Sequence, residues 1–323
     1  MRIAIVGAGL AGLGLAWHLL ERGVETVLFD AKGIGGGASG VSTGLLHPFP
    51  GKKALRSWRA EEGMDATREL VRVAEQALGC PVAAPKGIFR PAITEQQRAD
   101  FDVRAANDPS AVWKEISLPG MPPTQGLWIE SGMTIYSRLY LQGLWLACEK
   151  RGAKLVKTRV QNLSQLEDFD QVVLATGFET STFDNSFPLK ATLGQTLLCR
   201  WKEPLPFSLV SQGHITPTED PALCQVGSTY EHTSEPDPQL ARQLLEKAAL
   251  FYPPALNFEI LEVRTGVRVT QREGYRPLVA KIAPKVWVFT GLGSRGMLYH
   301  AWLGASLAEG LISREERLII MPI

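Results

Sequence analysis

Met1-Arg-Ile-Ala-Ile-Val-Gly7-Ala8-Gly9-Leu10-Ala11-Gly12 opens the chain, and an amphipathic stretch from Leu10 to Arg22 leads on to Thr26-Val-Leu-Phe29-Asp30. Arg2 to Val6 has the length and apolar content of a buried strand. The three glycines fall at its end, and the amphipathic stretch has helical spacing. A Gly-x-Gly-x-x-Gly run carries weight only in this context, between a strand and a helix and with an acid eighteen residues past its last glycine. Gly7 permits a tight turn, Gly9 admits a pyrophosphate close to the backbone, and Gly12 allows close helix packing. The helix start offers N–H groups to the anion. Asp30 is placed to accept ribose hydroxyls. The unit reads as a βαβ dinucleotide site that starts with the first residue and has no leader; the bland alternative is a glycine-rich turn that binds nothing.

A second glycine-rich loop, Ala31-Lys-Gly-Ile-Gly-Gly-Gly-Ala38-Ser39-Gly40, comes directly after the acid and is followed by Val41-Ser-Thr-Gly44-Leu45-Leu46-His47-Pro48. Its position points to a further phosphate or cofactor contact rather than to a flexible tether. Toward the other end, Val286-Trp-Val-Phe289 runs into Thr290-Gly-Leu-Gly293-Ser294-Arg295-Gly296, and a helix is expected from about Met297 to Leu311. Glycine-rich turns from strand to helix therefore lie near both ends of the sequence.

Between them, Ala54 to Leu78 has helical spacing and stops at Gly79. A helix from Ser137 to Gly152 and short strands at Ala153 to Val160 and Gln171 to Ala175 return the chain to the nucleotide-binding sheet. Residues 80 to 133 and Lys190 to Val269 look like a mostly antiparallel sheet, covered by a helix that opens at Asp237-Pro238. The predicted organisation is α/β. A discontinuous Rossmann-like domain takes residues 1–79, 134–188 and 283–323, and an inserted α+β substrate domain takes 80–133 and 189–282.

Composition narrows the function classes. With 323 residues, 45% hydrophobic, 21% charged and a net charge of +1, the chain is ordinary globular material that permits a nucleic-acid partner without indicating one. The basic cluster Lys52, Lys53, Arg56 and Arg59 is accounted for by a solvated helix start, and most of the eight tryptophans by core packing. Four scattered cysteines (Cys80, Cys148, Cys199, Cys224) form no metal-ligand pattern and suit a reducing cytoplasm. No apolar run is long enough to cross a membrane.

Taken together, Gly7-x-Gly9-x-x-Gly12, Ala38-Ser39-Gly40, Ala175-Thr176-Gly177, Gly194-Gln195, Gly227-Ser-Thr229 and Gly291-Leu-Gly-Ser-Arg-Gly296 resemble the D-amino-acid oxidase superfamily of FAD-dependent oxidoreductases, over essentially the whole chain. Within it, Gly44-Leu-Leu-His-Pro48, Gly213-His-Ile-Thr-Pro217, Gly266-Val-Arg268 and the last glycine loop look most like the oxidase domain of the bifunctional enzymes that make 5-methylaminomethyl-2-thiouridine in tRNA.

The resemblance implies an FAD fold of the glutathione-reductase type and a set of contacts. Gly7, Ala8, Gly9, Leu10, Ala11 and Gly12 would hold the pyrophosphate. Asp30, with Ala31, would take the ribose in place of the family's usual glutamate. Ala38, Ser39 and Gly40 would follow the ribityl chain, and Gly44, Leu45, Leu46 and His47 would approach the isoalloxazine. Val160 would reach the adenine by its backbone. Ala175, Thr176, Gly177 and Gly194 complete the set, and Gly293, Ser294, Arg295, Gly296, Met297 and Leu298 would run along the pyrimidine edge.

The same resemblance implies oxidation of a CH–NH bond in a glycine-like amine or amino acid, with dioxygen as reoxidant and no metal. A modified tRNA is the sharper version of the substrate. Arg268 would pair with a substrate carboxylate, and His214 stands where relatives often have tyrosine. His47, Arg295, Tyr275, Arg276 and Tyr299 fall in segments expected near the cleft. Two readings compete: an FAD-binding electron-transfer or non-catalytic protein, and a pyridine-nucleotide dehydrogenase.

Overall fold

The computed structural model describes residues 1–84, 87–184, 186–231, 238–272 and 276–313. A six-stranded sheet forms around the opening motif, in the order Leu278–Ala283, Val286–Thr290, Gln171–Leu174, Arg2–Val6, Glu25–Phe29, Lys154–Val156. All neighbours are parallel except the first pair, which is antiparallel. Parallel strands buried on both faces need continuous apolar sequence, and Ile3, Ala4, Ile5, Leu28, Val173, Leu174, Val288 and Phe289 supply it with no measurable exposure. Helices α1 (Leu10–Glu21), α2 (Ala60–Leu78), α3 (Glu95–Asn107), α4 (Ser137–Lys150), α5 (Pro238–Ala249) and α6 (Gly296–Ser313) follow in chain order. Of these, α1, α2, α4 and α6 share one apolar core with the sheet, through Leu13, Leu70, Leu144, Leu307 and their neighbours.

The second sheet has eight strands, ordered Glu259–Gln271, Leu189–Arg200, Leu223–Gly227, His214–Pro217, Ser208–Val210, Ile88–Pro91, Thr124–Ile129, Ala111–Ile116. Every pair is antiparallel except Ser208–Val210 with Ile88–Pro91. Its outer face packs on α5 through Leu197, Val226, Leu244 and Phe251. A small sheet of Leu45–Leu46, Met133–Ile135 and Ala83–Ala84 lies where the chain passes between the two larger ones.

Local structure departs from the sequence expectations at several points. Leu278–Ala283, placed by sequence in the substrate domain up to residue 282, pairs with Val286–Thr290 and closes an edge of the parallel sheet. Helix α2 begins at Ala60 rather than Ala54, because Ala54 and Arg59 both adopt left-handed backbone, with φ of 49° and 48°. Trp58 therefore sits in a turn, not on a helix face. Ser137 is the first helical residue of α4, and no side chain caps that helix. Asp237, the expected start of α5, lies outside the described residues. Among the described residues no helix is long and apolar enough to cross a membrane.

Candidate functional site

The two large sheets face each other across a cleft of about 950 Å³, lined on one side by the glycine turns and on the other by the eight-stranded sheet. On the near wall, Gly7 has a φ of 114°, and a Cβ on it would lie 2.3 Å from the Ala175 carbonyl oxygen. A Cβ on Gly12 would lie 1.9 Å from the Gly7 carbonyl oxygen, so the strand, turn and helix close on one another only without side chains. Ser39 comes from the second glycine loop, and its Oγ accepts the Leu10 N–H at 3.0 Å, satisfying one of the donors at the start of α1. Gly9, Leu10, Ala11, Ala38, Ser39, Ala175, Gly177 and residues 291 to 298 all line the cleft.

Asp30 stands beside this wall rather than on it. Its Oδ2 accepts the Ala8 N–H at 2.8 Å, and its Oδ1 accepts the N–H groups of Lys32 and Gly33 at 2.8 and 2.9 Å. Three of roughly four acceptor positions on the carboxylate are therefore committed to tying the two glycine loops together. Ala31 is exposed, and Val160 is buried with Val27 and Phe169. Gly40, Gly44, Leu46 and Thr176 are not among the lining residues, and Leu46 is fully buried in the apolar core.

On the far wall, Arg268 enters from Glu259–Gln271. Its Nη2 donates to the Thr229 carbonyl at 2.6 Å and its Nη1 to Ser228 Oγ at 3.2 Å, and the guanidinium lies 4.3 Å from the centre of the Tyr230 ring. Gly194 on the neighbouring strand makes the room, since a Cβ there would be 2.3 Å from Nη2. His214 faces the same space, its Nε2 2.9 Å from Thr43 Oγ1. Burial, then the charge of Arg268, lowers its pKa to about 4. His47 also lines the cleft, with an Nδ1 that is buried and unpartnered. Burial, then Arg90 and His214, lowers its pKa to about 3. Both imidazoles are thus neutral at physiological pH, and both can donate or accept one hydrogen bond.

Arg295 lines the cleft from the last glycine turn and reaches the Tyr299 hydroxyl, which in turn donates to the Trp58 carbonyl at 2.9 Å. Arg276 lies 5.1 Å from the centre of the Trp58 ring. Tyr275 lies outside the described residues. Sequence reasoning did not single out Arg90, which lines the cleft from Ile88–Pro91. Nothing in Gly87-Ile-Phe-Arg-Pro91 announces a buried cation, and only strand pairing brings it to the site.

The glycine wall fits a dinucleotide: its glycines leave no volume for side chains, and the start of α1 presents backbone donors. Facing it is a wall rich in cations and neutral imidazoles. Together these fit a nucleotide-cofactor oxidoreductase. The chain belongs to the DAO family, whose model, described as FAD dependent oxidoreductase, matches residues 2–310. FAD is accordingly the cofactor.

Among curated relatives, the tRNA 5-methylaminomethyl-2-thiouridine biosynthesis bifunctional protein MnmC of Leptospira borgpetersenii is 24% identical over 96% of this chain and 57% of its own length. MnmC of Thiobacillus denitrificans is 28% identical over 95% of this chain and 56% of its own. The chain thus spans a little over half the length of these relatives. Among solved structures, glycine oxidase from Geobacillus kaustophilus superposes with a TM-score of 0.83 at 19% identity, covering 99% of this chain and 96% of that one. Iminodiacetate oxidase from Chelativorans sp. BNC1 does so with 0.80 at 17%, covering 99% and 97%. These two likenesses bear on the fold.

Proposed function

We propose that this chain is an FAD-dependent oxidase of a glycine-like secondary amine or amino acid, cleaving the C–N bond next to a carboxylate. The observation that carries this reading is Arg268. It is held by Ser228, Thr229 and Tyr230 on the wall opposite the glycine turns, in a space that Gly194 leaves open. A guanidinium fixes a carboxylate by parallel charge-assisted bonds and so fixes the adjacent C–N bond across the cleft. The neutral His214 and His47 supply hydrogen-bonding groups without adding positive charge that would repel an amine.

The residues that would hold FAD are Gly7 to Gly12, Ala38, Ser39, Ala175, Gly177 and Gly293 to Leu298. FAD held by these residues would supply the two-electron acceptor for oxidation of the carbon beside the nitrogen. The substrate leaves as an imine, which water hydrolyses to a carbonyl product and an amine, and dioxygen takes the electron pair. In this reading the parallel sheet serves as the cofactor domain and the eight-stranded sheet as the substrate domain, with the chain in the cytoplasm. The relatives named for 5-methylaminomethyl-2-thiouridine biosynthesis support a finer version, in which the amine is the carboxymethylaminomethyl group of a tRNA uridine and the product is glyoxylate.

Anaerobic mixing of the FAD-loaded protein with glycine, sarcosine, D-alanine, L-proline and tRNA carrying that group tests both versions. Loss of the yellow flavin band is expected with at least one of them. Bleaching by the tRNA alone selects the finer version. A flavin that stays oxidised with all five counts against the oxidase and favours a non-catalytic or electron-transfer flavoprotein.

A further inference from the structure

Arg90 is 2% exposed, yet it lines the cleft. Its Nη2 donates to the Gly51 carbonyl at 2.6 Å, its Nη1 donates to the Phe49 carbonyl, and the guanidinium lies 4.9 Å from the centre of the Phe101 ring. Its Nε–H is buried with no acceptor, and no carboxylate among the described residues pairs with it. By contrast Arg56, on the same side of the molecule, takes both oxygens of Asp108. Carbonyl groups satisfy N–H donors but leave the charge uncompensated, and a buried charge without a counter-ion is costly. Burial lowers the pKa of Arg90 to about 10, so it remains a cation at neutral pH.

Strand register places this cation relative to the rest of the site. Thr196 pairs with Gly227, Gly227 with His214, and His214 with Val210. Val210 and Arg90 are the residues that follow the paired Leu209 and Phe89 on adjacent parallel strands. Residues in one cross-strand row share a face, so Arg90 looks onto the same cleft as His214, two strands away. Arg268 is on the strand at the other side of the row, five interstrand steps from Arg90 and four residues along from Arg264, the residue that completes the row, on the order of 25 Å between backbones. Both arginines line the one cleft, so an extended molecule lying along it meets both. Among the described lining residues Asp100 is the single acid, against Lys52, Arg90, Lys247, Arg268 and Arg295.

We propose that Arg90 recognises a second oxyanion, a carboxylate or phosphate carried on the end of the amine substrate remote from the carboxylate that pairs with Arg268. This rests on the amine-oxidase reading and adds to it a substrate class: elongated amines with an acidic group at each end. The uncompensated guanidinium would then gain its counter-ion only when such a substrate is in place, which favours doubly charged over singly charged amines.

The test compares N-(ω-carboxypentyl)glycine and N-(ω-phosphonopentyl)glycine with uncharged-tailed N-hexylglycine on the FAD-loaded protein. Affinity is read by calorimetry and flavin difference spectra, and oxidation by anaerobic bleaching. At least one acid-tailed amine is expected to bind about tenfold tighter than N-hexylglycine, and which of the two does so identifies the oxyanion. Arg90→Gln should abolish the difference, and Lys154→Ala, away from the cleft, should leave it in place. Equal affinity for all three amines in the wild-type protein, or a preference that survives Arg90→Gln, overturns the proposal. Should Arg90→Gln fail to fold, Arg90→Lys decides, because a point charge without the planar guanidinium weakens the preference and an undiminished preference overturns it. If no amine bleaches the flavin, the oxidase reading fails; if all three bleach it with equal affinity, only the role of Arg90 fails.

Discussion

Arg268 and Gly194 form one packed unit at the residue scale, because the guanidinium occupies the volume that a side chain on Gly194 would fill. Arg268→Met should cost roughly 2–5 kcal/mol of binding to a carboxylate-bearing amine if that pair is desolvated. Gly194→Ala should reproduce most of this loss while every atom of Arg268 is still present, since its Cβ would sit 2.3 Å from Nη2. The double variant should be little worse than either single one, as expected for two changes that remove one interaction. Steady-state kcat/KM with glycine, compared with an amine lacking the carboxylate, measures this. Additive losses, or equal losses with the uncharged amine, would separate Gly194 from Arg268. Arg268 was legible in the sequence because it closes a short motif, Gly266-Val-Arg268, that the resemblance covers. The packing of Gly194 against it was not, since these residues lie 74 positions apart and meet only through the pairing of Leu189–Arg200 with Glu259–Gln271.

At the scale of elements, the opening strand, turn and helix carry the glycine wall of the cleft, and their sequence is legible because each rule is local: an apolar run, glycines at fixed offsets, and an amphipathic helix. Asp30 shows where local reading stops. An acid at that offset suggests a ribose contact, and its carboxylate also accepts the N–H groups of Ala8, Lys32 and Gly33, which only the folded loop brings within reach. The start of α2 was misplaced for the same kind of reason, since left-handed backbone at Ala54 and Arg59 overrides helical spacing. Gly12→Ala tests the element as a unit. The added methyl would overlap the Gly7 carbonyl at 1.9 Å, and because backbone cannot yield as a side chain can, the turn must open. Overpacking of this kind costs about 1–3 kcal/mol or more. The variant should purify with a lowered ratio of flavin to protein absorbance and a lowered Tm. Wild-type flavin content with an unchanged Tm would show that the turn does not need that glycine.

Over the whole molecule, one histidine in the core and three that are part-buried, two of them on the cleft wall, set the response to acid. His18, His214 and His300 have pKa values lowered to about 4, and that of His47 is lowered to about 3, with burial the largest cause in each. His300 is fully buried in α6, with Tyr140 Oη 2.6 Å from its Nε2 and the Gly296 carbonyl 2.9 Å from its Nδ1, so protonation would charge a group deep in the shared core. The unfolded chain protonates these imidazoles near their ordinary value of 6.5, whereas the folded chain does so only two units or more lower. Below pH 6.5 the unfolded state therefore binds more protons, and stability falls as pH falls through the window from about 6.5 to 4. Asp108 acts in a separate window. Its hydrogen bond from Arg56 lowers its pKa to about 2, so its contribution is intact above 3.8 and is lost only in stronger acid. Between pH 6.5 and 4.5 the histidines act without it, and unfolding at pH 5 should take up roughly four protons. Denaturant midpoints measured with saturating FAD at constant ionic strength should fall steadily from pH 7 to pH 4.5 with no matching trend between pH 7 and 8. A flat profile through the lower range would mean that these imidazoles gain protons in the folded protein as readily as in the unfolded one.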